Sequence, residues 1–138
     1  MKNIHHNEKF FRKLGYAFYS VAASDGTVAE DERKMLHQMV IEDWVTLELS
    51  QDEFGSDAAY QIEMLFEYLT EQAMGAEKAF QKFEQYFKDN LELFSDDVID
   101  RIYHTANRIA DSFHSKNKAE LNTLMRLHLL LGKERHIL

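Results

Sequence analysis

Not one of the 138 residues is proline, and apolar side chains recur three and four positions apart along most of the chain. Proline removes an amide donor and clashes with the preceding turn, so without it no helix interior is obliged to break. The spacing of Phe10, Leu14, Ala17, Phe18 and Val21 puts five apolar groups on one helical face. It returns in Met35, Leu36, Met39, Val40 and Trp44, in Ala58, Ile62, Leu65, Phe66 and Leu69, and in Ala76, Phe80, Phe83 and Phe87. Val98, Ile102, Ala106, Ile109 and Phe113 repeat it, as do Leu121, Leu124, Leu127 and Leu131. Sustained alternation of the strand type is absent. The pattern predicts an all-α, single-domain bundle over residues 1–138, with about six helices near 5–24, 28–48, 56–74, 76–91, 96–113 and 117–132.

The breaks between these runs carry suitable chemistry. Thr27-Val28-Ala29-Glu30 has the capping-box form, a hydroxyl for the third amide and a glutamate reaching back. Ser50-Gln51-Asp52-Glu53 has it again, and Ser95 before Asp96 and Asp97 reads as an N-cap with acids at the positive helix end. Gly26, Gly75 and Gly132 follow or separate periodic runs, where a left-handed C-cap is expected. Gly15 lies inside the first run and predicts close helix packing. Placing Glu32 over Glu120 also sets Ala22 over Ala110, Leu36 over Leu124 and Met39 over Leu127. Duplication of a helical hairpin and chance similarity between two amphipathic hairpins both fit this register.

The stretch AASDGTVAEDE, with Ala22, Asp25, Gly26, Val28 and Glu32 in the spacing AxxDGxVxxxE and Leu36 after it, resembles the signature hairpin of the TerB family of tellurite-resistance-type proteins. The resemblance implies an all-helical domain of about this length with a second, related hairpin, here Ala106–Gly132. That second corner has Phe113-His114 where Asp-Gly would stand, while Glu120 and Leu124 remain. The resemblance further implies a bacterial stress-response setting and a proposed metal-binding role for acidic residues. It brings no catalytic reaction.

Two readings of the first corner follow from its residues. In one, Asp25 accepts backbone amides, Gly26 supplies the positive φ, Thr27 and Glu30 cap the next helix and Val28 packs beneath, with no ion involved. In the other, Asp25 and Glu32 form a weak site for a hard divalent cation (calcium, magnesium or manganese). The spacing is not that of the twelve-residue calcium loop, which needs acids at alternate positions.

Composition narrows the remaining classes. Hydrophobic residues make up 45% of the chain, with ten Phe and six Tyr, enough to fill a core. Without cysteine there is no disulfide, thiolate nucleophile or zinc–thiolate site. A formal charge of -8 disfavours nucleic acid and anionic membrane surfaces. The start, MKNIHHNEKFF, lacks the apolar run of a signal peptide, and no window reaches spanning length. A cytoplasmic protein without membrane insertion is the expectation.

Catalytic signatures are missing: Gly-x-Ser-x-Gly, Gly-x-x-x-x-Gly-Lys, Gly-x-Gly-x-x-Gly, Glu-x-x-His and His-Glu-x-x-His do not occur. His5-His6 reads as a solvated terminal pair, Asp100 with His104 as a surface ion pair, and Glu63 with Glu67 as a solvated face. Phe80, Phe83, Tyr86, Phe87 and Phe94 read first as core, with some rings able to reach the surface. Two functions are therefore expected. One is a non-enzymatic TerB-like module, binding a protein partner and a divalent cation at the first corner. The alternative is an ion-free scaffold that uses an aromatic helix face. Self-association is compatible with both.

Overall fold

The computed structural model describes residues 4–47, 58–112 and 117–137, with side chains described for 8–47, 58–112 and 117–132. Among these residues every regular element is helical. The six α-helices are α1 (Ile4–Ala22), α2 (Glu30–Met39), α3 (Gln61–Gln72), α4 (Ala76–Asp89), α5 (Asp96–Asp111) and α6 (Lys118–Ile137). α1 is the central element, packed on α3, α4, α5 and α6, while α2 lies on α5. Phe11, Leu14, Ala17, Phe18 and Val21 of α1 are fully buried, and Tyr19, Ser20 and Ala22 beside that stripe are buried too, as a helix covered on several sides requires.

Gly15 explains how α3 approaches so closely. A Cβ at that position would lie 3.0 Å from the Ile62 carbonyl oxygen and 3.3 Å from Leu65 Cβ. α2 runs directly into a π-helical turn, Val40–Trp44, closed by Val45 N–H donating to the Val40 carbonyl at 2.9 Å. Trp44 is thereby buried against Phe11 and Phe18, and its indole N–H donates to Thr105 Oγ1 at 2.9 Å. Such single wide turns are uncommon inside helices.

Several boundaries differ from the sequence expectation. α2 begins at Glu30 rather than 28, so Thr27 is not its cap and Glu30 is not the residue that reaches back. The left-handed residue after α3 is Ala73, with φ 53°, and Gly75 instead precedes α4 in extended backbone. The chain tolerates this at Ala73 because Met74 N–H bonds to the Leu69 carbonyl, and the Tyr19 hydroxyl donates to the Met74 carbonyl at 2.6 Å. α6 continues through Gly132, since a lone glycine weakens a helix without ending it. Ser95 caps α5 as expected, its hydroxyl accepting from Val98 N–H at 3.2 Å. The proposed box at Ser50–Glu53 and the Phe113-His114 corner lie outside the described residues, as do the side chains of His5, His6 and Ile137.

The aromatic series of α4 is core. Phe80, Phe83, Tyr86, Phe87 and Phe94 are all buried, with Phe94 packed edge-on against Phe83, Tyr86 and Phe87. The expectation that some of these rings face solvent is not met.

Candidate functional site

The first corner is built by a short sequence of local bonds. Gly26 takes φ +100°, and nothing lies within 4 Å of where its Cβ would be, so the glycine is there for backbone freedom. Asp25 Oδ1 accepts Thr27 N–H at 3.2 Å, closing the turn. Ala29 is the residue before α2, in extended backbone, and its N–H donates to Glu32 Oε1 at 2.7 Å. This is the reach-back half of a capping box with Glu32 in the glutamate position. Alanine offers no side-chain oxygen for the other half.

The start of α6 carries both halves of such a box. Asn117 N–H donates to Glu120 Oε1 at 3.2 Å, and Asn117 Oδ1 accepts Glu120 N–H at 2.8 Å. Glu32 and Glu120 therefore hold equivalent positions in the first turns of α2 and α6, as the register of the two segments suggested. The equivalent apolar pairs, Ala22 with Ala110, Leu36 with Leu124 and Met39 with Leu127, are all buried.

The two corners meet. Asn117 Nδ2 donates to Asp25 Oδ2 at 2.9 Å, so both oxygens of Asp25 are engaged. Ser24 and Thr123 share a hydrogen bond at 2.7 Å between their hydroxyls. At the centre, Glu32 and Glu120 are 2% and 3% exposed, and their carboxyl groups are hydrogen-bonded to each other. Two carboxylates cannot make that bond without a proton between them. Burial first, then the bond to Glu120 and the negative charges of Glu120 and Asp25, push the Glu32 carboxyl up to about 8, against the opposing pull of the Ala29 amide. A helix N-terminus ordinarily favours ionised glutamate, so desolvation and like charge win here.

The residues chosen from sequence are thus placed differently. Asp25 is exposed and Glu32 buried, yet both belong to one electrostatic neighbourhood. Glu120 and Asn117 complete it. The matched register pointed to Glu120, whereas Asn117 carried no signal of its own. Among the described residues no three His, Cys, Asp or Glu side chains form a group that could hold a metal ion as they stand. Glu30 turns away to pair with Arg33 at 3.2 Å.

Other candidates resolve into clasps between helices. Glu67 takes Arg33 Nε at 2.8 Å together with its Nη2, and Glu63 takes the His37 ring at 2.8 Å, so this acidic edge of α3 anchors α2. His104 bonds Asp43 Oδ2 at 2.7 Å, joining α5 to the π-helical turn.

Comparison with protein-family models, curated proteins and solved structures finds no match to this chain.

Proposed function

We propose that the chain is a non-enzymatic, TerB-like helical module of a bacterial stress-response system, which binds a protein partner and responds to divalent cations at its paired corners. One observation carries this reading: two buried glutamates from equivalent positions in separate hairpins face each other beside Asp25. A shared proton relieves the repulsion by cancelling one of the pair's two charges. A hard cation with oxygen ligands is the other species that can do so. The donor chemistry suits calcium, magnesium or manganese, with Glu32 and Glu120 as principal ligands. Asp25 would join them once its carboxylate leaves the Asn117 amide.

Calorimetric titration of metal-stripped protein with calcium, magnesium and manganese tests the reading. Binding is expected to raise the melting temperature and to release a proton, seen as a heat that changes with buffer ionisation enthalpy. Asp25→Asn combined with Glu32→Gln removes the effect. No heat and no stabilisation at millimolar cation would overturn it.

The ion-free scaffold keeps one specific support, though not on α4. Tyr60, in the short helical turn just before α3, and Met64 and Tyr68 of α3 are 38%, 62% and 56% exposed and lie four apart, forming one apolar ridge. On that reading Met64→Lys with Tyr68→Lys abolishes partner capture while the melting temperature stays unchanged.

A further inference from the structure

We propose that the cleft between α1 and α4 binds a small anion carrying two or more phosphoryl groups. The cleft has a volume of about 480 Å³ and is lined by Lys9, Lys13, Lys78 and Lys82, with Tyr86 and Asp89. Lys9 and Lys13 lie one turn apart on α1, and Lys78 and Lys82 lie one turn apart on the facing α4. Four of the sixteen Lys and Arg of an acidic chain therefore converge on one depression.

Four basic side chains elsewhere are neutralised by neighbours: Arg33 by Glu67, Arg101 by Asp97, Arg126 by Glu77 and Lys88 by Glu84. Among the described residues none of the four cleft lysines has an ion-pair partner. The one carboxylate in the lining, Asp89, accepts the Gln85 amide at 3.0 Å. Like charges at this spacing repel, so the cleft carries a net positive charge, four ammonium groups against the one Asp89 carboxylate, in a molecule of net charge -8. Lys13 registers that field. Burial, together with Lys9, Lys82 and Arg12, holds its ammonium below the usual lysine range. A bound anion would reverse this.

Tyr86 supplies a second feature. It is 7% exposed and lines the cleft. No buried side-chain polar atom among the described residues lacks a partner, so its hydroxyl, which bonds no protein group, is open to the solvent of the cleft. A phenol in that position can donate to an anionic oxygen. The lining chemistry also selects among anions. Ammonium groups act as point charges and suit tetrahedral phosphoryl groups, whereas planar carboxylates are better matched by arginine. The volume is that of a small-molecule pocket. No exposed ring lines the cleft for a base to stack on, and the overall charge repels long polyanions.

The test is calorimetry with inorganic pyrophosphate and tripolyphosphate at fixed ionic strength, without divalent cations. Saturable one-to-one binding is expected, tighter for tripolyphosphate than for pyrophosphate and weakest for sulfate. Lys13→Gln with Lys82→Gln should weaken it by about tenfold or more, and Tyr86→Phe should weaken it less, while Lys88→Gln leaves it unchanged. Circular dichroism checks that each variant is folded, and amide shift changes on titration should cluster on α1 and α4. Absence of saturable binding at millimolar tripolyphosphate would overturn the proposal. So would equal loss in Lys88→Gln, or tighter binding of a single-stranded oligonucleotide than of tripolyphosphate.

Discussion

Replacing Glu32 with glutamine should make this protein more stable at neutral pH. Glu32 is 2% exposed and its carboxyl is pushed from 4.5 to about 8 by burial and by Glu120 and Asp25. The folded state therefore keeps a proton that the unfolded chain releases from about pH 4.5 upward. Stability is fully present below that value and is lost as pH rises through about 8. At about 1.36 kcal/mol per unit, the loss is roughly 3 kcal/mol by pH 7 and approaches about 5 kcal/mol above pH 8. Glutamine is neutral at every pH and nearly isosteric. Its carbonyl can accept the Ala29 N–H and its amide can donate to Glu120, as the protonated acid does. Wild type and Glu32→Gln should match near pH 4.5 and diverge above it, by about 10 °C in melting temperature at pH 7. Thermal and urea unfolding followed by circular dichroism, in chelator at several pH values between 4.5 and 9, measures this. Parallel pH profiles, or a variant less stable than wild type at pH 8, would refute the reasoning.

Gly15→Ala gains helix propensity but drives a methyl against the Ile62 carbonyl at 3.0 Å, and backbone cannot yield as a side chain can. A net loss of about 1 kcal/mol or more is expected in urea unfolding. Gly26→Ala meets no atom within 4 Å but forces a side chain onto φ +100°, for a loss of about 1–2 kcal/mol in the same assay. Trp44→Phe removes the indole bond to Thr105 and leaves space beside Phe11 and Phe18; a loss of about 2 kcal/mol is expected in urea unfolding. Divalent-cation affinity should fall as pH drops below 8, because the ion competes with the proton on Glu32, and calorimetry at pH 6 and 8 compares the two.

The helices were legible because each keeps an apolar stripe of helical period. Phe10, Leu14, Ala17, Phe18 and Val21 announce α1 by spacing alone, and all five are buried. Gly15 signalled close packing correctly, since only a missing Cβ admits the Ile62 carbonyl. Cap identity was less legible. Thr27 has the preferred chemistry, but the turn at Asp25 and Gly26 consumes two more residues before the helix starts at Glu30. Ala73 takes the left-handed turn because Tyr19, far away in sequence, pins the Met74 carbonyl. Three of the four corner residues were legible. Asp25 and Glu32 stood out by composition, and Glu120 by register. Their opposition across the two hairpins is tertiary, as is the burial that makes Glu32 retain a proton. The lysine cleft was invisible for the same reason: neither the Lys9–Lys13 pair nor the Lys78–Lys82 pair is unusual until α1 and α4 are side by side.

The apposition of Glu32 and Glu120 is most directly tested by carbon-detected NMR titration of the Glu32 side-chain carboxyl in metal-free buffer. A midpoint near 8 that falls toward the ordinary range in Glu120→Gln is the expected result, because that variant removes one of the two negative charges facing Glu32. A midpoint near 4.5 in the wild-type protein would contradict it, and would mean that the two hairpins do not bury their acids against each other.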